Sequence, residues 1–325
     1  MPDAVSGGRR GPMRLRAAAR AACIAALLAA LPPASGAEVP PLEVVEAAPG
    51  VFVHVGRHEE TTAANLGDIA NIGFVVGERC VAVIDSGGSL AVGRALAAAV
   101  RGKTDRPVCY VINTHMHPDH VFGNAAFLDD AVRPQFVGSA RLPQALAARD
   151  EHYRAALAAA LGAAAAGSRA VAPDLLVDDR LRLDLGGRVL VLQRWPTAHT
   201  DNDVTVFDEA NGTLWLGDLL FDERIPSVDG SIKGWLAVGA RLRELPVRQV
   251  IPGHGRIAPP WPDALDAQAR YLERVVARVR DALARGMTLR ETVAAAEMAD
   301  ARGWRLAEAY HRRNLTAAYA ELEWE

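Results

Sequence analysis

The stretch VINTHMHPDH, residues 111–120, places three histidines and one aspartate within six consecutive positions, directly after a short apolar run. His115 and His117 alternate, so on the extended end of a strand both side chains project to the same side. Asp119 and His120 follow a proline, which breaks the strand and turns the chain, so their side chains can face a second position. Histidine nitrogens and carboxylate oxygens are common zinc ligands. The pattern therefore predicts two adjacent metal positions, with a surface cluster of histidines as the alternative.

Four further acids and histidines end apolar, strand-like runs that are followed by turns. They are Asp85 in VAVIDSGG, His199 in RWPTAHTDND, Asp218 in TLWLGDLLF and His254 in VIPGHG. Strand ends followed by loops are where an α/β sheet presents its functional side chains. The whole set uses five of the nine histidines of the chain, which favours one shared metal site.

Length and charge restrict the kinds of protein that this chain can be. With 325 residues, 50% of them hydrophobic, it can bury one large core or at most two ordinary ones. Its 36 basic and 39 acidic residues give a net charge of -3 and are spread along the chain, without a basic stripe for a phosphate backbone. We therefore expect no nucleic-acid partner.

The amino-terminal segment has the pattern of a secretory signal. Several arginines precede the apolar run CIAALLAAL, which ends at PPASGA before Glu38. Because charged, apolar and small-residue regions follow one another in this order, we expect residues 1–37 to be a signal peptide cut after Ala37. The apolar run is too short to span a bilayer permanently. The segment predicts an exported, periplasmic protein without a stable membrane span, whereas a disordered tail or a surface helix is the alternative.

Removal of the signal leaves two cysteines, Cys80 and Cys109, and each stands at the start of a strand-like run. An even pair of cysteines in an exported chain suggests a disulfide. If the two strands are parallel neighbours, the sulfur atoms lie at about the same level. We therefore predict a disulfide between Cys80 and Cys109, with two buried free thiols as the alternative.

The order of the predicted elements indicates an α/β fold of layered sheets and helices. Between residues 81 and 112 a strand, a helix and an all-apolar strand follow one another, which is typical of a buried parallel pair. Glycine-containing turns near residues 186 and 211 predict two hairpins. Residues 57–70 are polar and predict a loop or flap. The alanine-rich residues 140–170 predict one or two helices, with a low-complexity linker as the alternative.

The carboxy-terminal part of the chain is helical by its pattern. From residue 262 onward apolar residues repeat near the helical spacing, and no internal repeat is obvious. We expect residues 38–261 to form one catalytic domain. Residues 262–325 are predicted to be helices that pack on the same domain.

The ordered set of acids and histidines resembles that of the metallo-β-lactamase superfamily, whose motifs run strand aspartate, HxHxDH, His, Asp and His in the same order. The resemblance covers about residues 45 to 258. It implies a metal-dependent hydrolase built as a four-layer αββα sandwich, here with a helical C-terminal extension, and with the metals at one edge of the two facing sheets.

The resemblance implies seven metal ligands: His115, His117 and His199 for one ion, Asp119, His120 and His254 for the second, and Asp218 as a bridge between them. Asp85 matches the strand aspartate that orients the site from behind and is not a ligand. Aspartate at the bridging position departs from the β-lactamases proper, one group of which has cysteine there. It matches glyoxalase II, lactonase and arylsulfatase-type members instead.

A closer resemblance is to the periplasmic quinoprotein relay system zinc metallohydrolases, which are similar to the Sox-associated members of the superfamily. The stretches that carry it are NLGDIANIGFVVGERCVAVIDSGG, CYVINTHMHPDHVFGNAAF, IPSVDGSIKGW and HRRNLTAAYAELE. This resemblance implies a functional link to periplasmic quinoprotein dehydrogenases, and it leaves the substrate open.

Nitrogen and carboxylate ligands without thiolate suit two Zn²⁺ ions, and the same set also accommodates Fe or Mn. Two such ions can share a bridging hydroxide, the expected nucleophile, because metal-bound water has a lowered pKa. Asp119 is the expected catalytic residue, which orients that solvent and shuttles a proton. We expect a small ester, thioester or lactone-type substrate. The alternatives are a β-lactamase-type amide hydrolase and a non-hydrolytic metal-binding accessory or redox protein.

The polar stretch 57–70 matches the flap loop that lies over the site in this superfamily. The resemblance therefore makes His58 and Glu59 candidate substrate contacts. Ordinary surface positions in a loop are the alternative for both residues.

Overall fold

The computed structural model describes residues 41–128 and 132–325 of the chain. The predicted signal peptide, residues 1–37, lies outside the described residues, so cleavage after Ala37 stays a prediction. Among the helices in the described ranges, none combines the length and the apolar composition that crossing a membrane requires.

The first half of the described chain forms a seven-stranded sheet whose strands lie side by side in chain order. They are β1 (Val45–Ala48), β2 (Val51–His54), β3 (Ile72–Val76), β4 (Val81–Ile84), β5 (Val108–Ile112), β6 (Gln135–Ser139) and β7 (Leu175–Val177). Neighbours from β1 to β4 are antiparallel, whereas neighbours from β4 to β7 are parallel. The carboxyl ends of β4 and β5 therefore meet at the same edge of the sheet.

The connection between β4 and β5 is helix α1 (Leu90–Lys103). Ser89 caps this helix, because its side chain accepts a hydrogen bond from the backbone N–H of Val92. Leu96 and other buried apolar residues of α1 pack against Val83 and Val111 on the outer face of the sheet. The predicted buried parallel pair with a crossover helix is confirmed.

The second sheet has five strands in the order β12, β11, β10, β9, β8. They are β8 (Arg180–Asp184), β9 (Val189–Arg194), β10 (Val204–Asp208), β11 (Thr213–Phe221) and β12 (Gln249–His254). Both predicted hairpins are present, since β8 pairs antiparallel with β9 and β10 with β11. Gly212 in the second turn has a φ of 71°, a backbone conformation that favours glycine. The last two strands, β11 and β12, run parallel.

The inner faces of the two sheets share one core, in which Val53 and Ile84 of the first sheet join Leu192 and Trp215 of the second. Helix α1 covers the outer face of the first sheet. The outer face of the second sheet packs against helices α4 (Ile232–Arg243), α5 (Asp263–Ala284) and α7 (Ala307–Leu322). This arrangement is the expected four-layer αββα sandwich with C-terminal helices.

The alanine-rich segment is helix α3 (Leu142–Leu161), followed by a short 3₁₀ turn. Its leucines at 142, 146, 157 and 161 pack against Phe122, next to the single-turn helix α2 (Pro118–Val121). The segment is therefore a packed helix and not a linker.

The C-terminal helices pack on one another and on the second sheet. Helix α5 contacts α4, α7 and β11, and the short helix α6 (Leu289–Ala294) contacts α7. The proposed boundary at residue 261 stays a prediction.

Cys80 and Cys109 form a disulfide. Val81 lies opposite Val108 in the parallel pairing of β4 and β5, and the Cα atoms of the two cysteines lie 5.7 Å apart. Cys80 is fully buried in the core between the two sheets. The sequence prediction of a bridge between neighbouring parallel strands is confirmed.

Reducing this disulfide should lower the free energy of unfolding by about 3 to 4 kcal/mol, because the bridge restricts the unfolded chain over a separation of 29 residues. Urea unfolding of the wild-type protein should therefore shift to lower urea concentration when dithiothreitol is added. A double variant, Cys80→Ala with Cys109→Ala, is the control, because its transition should not respond to the reductant. A wild-type transition that dithiothreitol leaves in place would contradict the bridge.

Candidate metal centre

Seven side chains from both sheets converge at one edge of the sandwich. They form two groups that could each hold a metal ion: His115, His117, His199 and Asp218, and Asp119, His120 and His254. The ligand atoms within each group all lie within 4.8 Å of one another. The structure thus brings together all seven residues for which the sequence implied ligand roles, and the roles themselves stay predictions.

Local structure turns the HxHxDH segment toward this edge. His115 and His117 follow β5, and the proline after His117 starts α2, a favourable position for proline because its fixed φ suits the first helical turn. Asp119 and His120 lie within that turn, so their side chains point to a different position. The other three residues come from the second sheet: His199 after β9, Asp218 within β11 and His254 at the end of β12.

The three histidines of the first group point ring nitrogens at one another. His117 Nδ1 lies 3.1 Å from His115 Nε2 and 2.9 Å from His199 Nε2. Burial and neighbouring histidines lower the pKa of His115 and of His117, so neutral rings with one N–H each are favoured. The location of that hydrogen decides whether the inward nitrogens donate or present lone pairs.

The outward nitrogens of two rings meet acceptors in the loop between β11 and α4. His117 Nε2 lies 3.0 Å from Asp229 Oδ2, and His199 Nδ1 lies 2.8 Å from the carbonyl oxygen of Ser227. Because both partners only accept, each ring donates its hydrogen outward. The inward nitrogens of His117 and His199 are then left with lone pairs, which is the state that binds a metal.

Asp85 supports rings of both groups from behind. Its Oδ2 accepts hydrogen bonds of 2.8 Å from Thr114 Oγ1 and from His120 Nδ1, and its Oδ1 accepts from the Thr114 backbone N–H. Since the Thr114 hydroxyl donates to Asp85, it accepts from His115 Nδ1 at 3.0 Å. In their neutral forms, His115 and His120 therefore also direct a lone pair inward. Asp85 has a φ of 54°, a conformation that costs a non-glycine residue free energy and is common at functional sites.

The second group has one carboxylate and two imidazoles. Asp119 Oδ2 lies 3.4 Å from His254 Nε2 and 3.8 Å from His120 Nε2. His254 Nδ1 lies 2.7 Å from the carbonyl oxygen of Ile69 and 3.0 Å from Arg224 Nη1. When Nδ1 donates to the Ile69 carbonyl, Nε2 keeps its lone pair toward the centre. One oxygen and two nitrogen donors thus face a common point.

Asp218 faces both groups at once. Its Oδ2 lies 3.3 Å from His199 Nε2 and 3.7 Å from His115 Nε2, and its Oδ1 lies 3.1 Å from His120 Nε2 and 3.4 Å from His254 Nε2. His120 Nε2 and Asp218 Oδ1 are close but lack hydrogen-bond geometry. Within the described part of the chain, both atoms are buried without a hydrogen-bond partner. Buried polar atoms without partners are rare, and cations bridged by this carboxylate would satisfy them.

The electrostatics of the site also fit a cation. Burial alone would raise the pKa of Asp218, but His254, His120 and His115 lower it well below its usual value. Burial alone would lower the pKa of His120, but Asp218, Asp85 and Asp119 raise it well above its usual value. The carboxylates therefore attract positive charge to this edge, and nitrogen and oxygen donors together suit a divalent metal.

A cavity of about 480 Å³ opens over the two groups. Asp119, Asp218 and His254 lie at its floor, while Tyr153 of α3 and Tyr310 of α7 line its walls. The edge that holds the two groups is therefore open to a small molecule.

The flap residues at the cavity differ from those that the resemblance suggested. His58 Nε2 lies 3.6 Å from Glu223 Oε2, and the Glu59 carboxylate accepts a hydrogen bond from Asn65, which also binds the carbonyl oxygen of Glu60. Glu60 and Thr61 line the cavity, whereas His58 and Glu59 make these other contacts. A substrate contact of His58 or Glu59 stays a prediction.

Sequence reasoning missed several residues that support or line the site. Asp229 lies in IPSVDGSIKGW, a stretch quoted above as a resemblance but without a role for its aspartate. Asp229 also accepts a hydrogen bond of 3.3 Å from Arg149. Burial alone would raise the pKa of Asp229, but His117 and Arg149 lower it to about 2. Tyr153 and Tyr310 lie on helices whose pattern indicates only packing. For Asp229, the signal in the sequence was its place in a stretch that carries the family resemblance.

The family model described as the metallo-β-lactamase superfamily matches residues 66–254, more than half of the chain. The chain belongs to this superfamily. It is accordingly a metal-dependent hydrolase whose two groups of histidines and aspartates form the candidate metal site.

Solved structures of low sequence identity share the fold. One is a metallo-β-lactamase from Pontibacter korlensis, with 20% identity and a TM-score of 0.58 over 71% of this chain and 99% of that protein. Another is the inverting sec-alkylsulfatase Pisa1 from Pseudomonas sp., with 18% identity and a TM-score of 0.67 over 86% of this chain but only 50% of the sulfatase. TMB-1 matches with 20% identity and a TM-score of 0.55 over 73% of this chain and 99% of TMB-1. No curated protein sequence matches the chain.

Gly253→Ala should weaken metal binding at both groups by at least about tenfold, because it displaces Asp218. A Cβ atom at Gly253 would lie 2.0 Å from Asp218 Oδ1 and 2.7 Å from the Gly217 carbonyl carbon, so the Asp218 carboxylate has to move away from its place. Metal content after dialysis of the loaded protein measures the loss. Gly102→Ala is the matched control, since a Cβ there meets nothing within 4 Å. Full metal retention in Gly253→Ala would disprove the bridging role of Asp218.

Proposed function

We propose that this protein is a periplasmic dinuclear zinc hydrolase that acts on a small ester, thioester or lactone-type substrate. The observation that carries the proposal is the position of Asp218, whose two carboxylate oxygens face different groups of ligand atoms. A carboxylate in that position suits a bridge between two ions. Such pairs of ions are a recurring feature of hydrolytic sites.

Zinc is the ion that the donors favour. His115, His117 and His199 would hold one ion, Asp119, His120 and His254 would hold the other, and Asp218 would contact both. All donors are nitrogen or carboxylate oxygen, which suits Zn²⁺, and the same set accommodates Fe or Mn. When bound, two zinc ions would lower the pKa of a shared water and polarise the oxygen of the scissile bond.

Asp119 is the residue of the site best placed to hold and move a proton. Burial alone would raise its pKa, but His120 and His254 lower it, so its carboxylate is ionised near neutral pH. Its side chain is 16% exposed and lines the cavity, whereas that of Asp218 is 3% exposed. Asp119 can therefore orient a water molecule, accept its proton and return that proton to the leaving group.

The walls of the cavity favour a small substrate that combines an apolar part with a negative charge. Ala156, Leu157 and Ala160 of α3 form an apolar side. Arg224 lies on another side and is 4% exposed, and within the described ranges it has no carboxylate within 4.0 Å. Its Nη2 donates to Tyr310 Oη at 3.3 Å, and its Nη1 lies 3.4 Å from the Ile69 carbonyl oxygen and 3.0 Å from His254 Nδ1, all of them uncharged partners when His254 is neutral. A buried guanidinium without a paired carboxylate favours an anionic group on the substrate.

The periplasmic location is supported by the amino-terminal sequence and by the disulfide. Residues 1–37 have the pattern of a cleavable signal. A disulfide such as Cys80–Cys109 persists in an oxidising compartment. The link to a quinoprotein dehydrogenase system rests on the sequence stretches that resemble the quinoprotein relay metallohydrolases.

A β-lactamase-type activity is the second candidate. Two of the similar structures are metallo-β-lactamases, and both match over almost their whole length. Aspartate at position 218 makes this the less favoured activity, because one group of those enzymes has cysteine at the bridging position. The likeness to a sec-alkylsulfatase adds a sulfate ester to the substrates that are worth testing.

Protein purified from the periplasm should begin at Glu38, contain about two zinc ions per chain and hydrolyse at least one member of a small panel. The panel holds a thioester, a lactone, a sec-alkyl sulfate and a β-lactam, and includes esters with and without a carboxylate. Mass spectrometry, elemental analysis and initial rates provide the three readouts, and the carboxylated esters should be hydrolysed faster. Bound iron would favour the redox alternative, and bound zinc without any turnover would favour the accessory alternative.

Asp119→Asn should reduce kcat by about 100-fold or more, because the amide cannot accept and return a proton. Zinc content should be measured on the same sample, so that a loss of metal is not mistaken for a loss of proton transfer. Asp105→Asn, at an exposed position, is the matched control and should leave kcat unchanged. Full activity of Asp119→Asn with both ions bound would remove the proton-transfer role.

A further inference from the structure

Two of the three histidines in the first group depend on a loop that has no regular secondary structure. Ser227 and Asp229, which accept the outward hydrogens of His199 and His117, lie between β11 and α4, outside any helix or strand. A loop does not fix its own groups through a ladder of backbone hydrogen bonds. Other contacts must therefore hold these two acceptors in place.

Asn314 of helix α7 supplies these contacts on both sides of Ser227. The Val228 backbone N–H donates to Asn314 Oδ1 at 2.9 Å, and Asn314 Nδ2 donates to the carbonyl oxygen of Pro226 at 2.6 Å. The other hydrogen of Nδ2 meets Tyr271 Oη at 2.8 Å. Because Asn314 is 1% exposed and its amide has partners on both sides, its orientation is fixed.

A second contact from α7 holds the far end of the loop. Glu321 accepts hydrogen bonds of 2.7 Å from the Ser231 hydroxyl and from the Ile232 backbone N–H, at the start of α4. The segment from 226 to 232 is thus attached to α7 before and after Asp229. The C-terminal helix and the three-histidine group are linked through this one segment.

The outward nitrogens of the second ligand group are held outside residues 226–232, although Arg224, near the start of the same connection, places its Nη1 3.0 Å from His254 Nδ1. His120 Nδ1 is held by Asp85, and His254 Nδ1 is held by the carbonyl oxygen of Ile69. Ile69 belongs to the connection between β2 and β3, and Asp85 directly follows β4. Displacing the loop at 226–232 should therefore affect the two ligand groups unequally.

We propose that Asn314 is a positioning residue for the metal centre, which raises the metal affinity of the three-histidine group by fixing Ser227 and Asp229. The inference rests on the proposed function, because it requires both groups to bind zinc. Loss of a residue behind a metal ligand typically costs about 10- to 100-fold in metal affinity. Asn314 acts one contact further back, through Pro226 and Val228, so Asn314→Ala should weaken one zinc position by about 10-fold, the lower end of this range, and leave the other unchanged.

The experiment is a Zn²⁺ titration of the metal-free mature protein in competition with a chelator of known affinity. The wild-type protein should show two binding events. His199→Ala should remove the event of the first group and His254→Ala the event of the second, which assigns them. Asn314→Ala should then weaken only the event that His199→Ala removes. Asn314→Asp has the same size and keeps the acceptor for Val228, but it turns an oxygen atom toward the Pro226 carbonyl oxygen, so it should also weaken that event.

Tyr271→Phe separates positioning from general stability. It removes the hydroxyl that contacts Asn314 and His311 but leaves the contacts of Asn314 with Pro226 and Val228 in place. The variant should unfold at a lower temperature, as Asn314→Ala should, yet retain both zinc affinities.

Three results would overturn the inference: unchanged affinities in both Asn314 variants, equal weakening of both events, or the same selective loss in Tyr271→Phe. Each of these leaves the proposed function intact, because the wild-type protein still binds two ions. A wild-type protein that binds no zinc would instead overturn the proposed function, and the role of Asn314 with it.

Discussion

The buried carboxylate of Asp218 is the constraint on which the rest of the site depends. A buried charge is costly unless opposite charge and hydrogen-bond donors surround it, and this one faces four imidazoles. The backbone makes room for it, because the pairing of β11 with β12 shifts register at Gly217, which has a positive φ of 51°. Gly253 on β12 lies too close to the carboxylate to carry a side chain.

The rings of the candidate ligands are held by the protein through their outward nitrogens. Each outward ring nitrogen meets an oxygen atom. These oxygens come from separate places in the chain: a strand end at Asp85 with its neighbour Thr114, the flap at Ile69, and the loop with Ser227 and Asp229. Strand ends and loops that are far apart in the chain therefore hold the imidazole rings together at one edge of the sandwich.

How far the sequence predicts the site depends on which force fixes each residue. The ligand residues stand at strand ends, where apolar patterning and turn residues are visible in sequence, and the structure brings all seven together. The Cys80–Cys109 bridge was predictable for the same reason, since it follows from two neighbouring strands. In the flap, Asn65 donates hydrogen bonds to the Glu59 carboxylate and to the Glu60 carbonyl oxygen, and Glu60 and Thr61 line the cavity. No periodic pattern in the sequence indicates such contacts, so Glu60 and Thr61 were missed. Asn314 lies in HRRNLTAAYAELE, a stretch that carries the resemblance, but the helical pattern there indicates packing and gave the asparagine no role.

The order of these residues along the chain has a consequence for assembly. All seven ligands lie between His115 and His254, whereas Asn314 and Glu321 come later. A chain that folds as its amino end appears first presents every candidate ligand before the residues that hold their support. With the role proposed for Asn314, tight ion capture would have to wait until the last helix has docked.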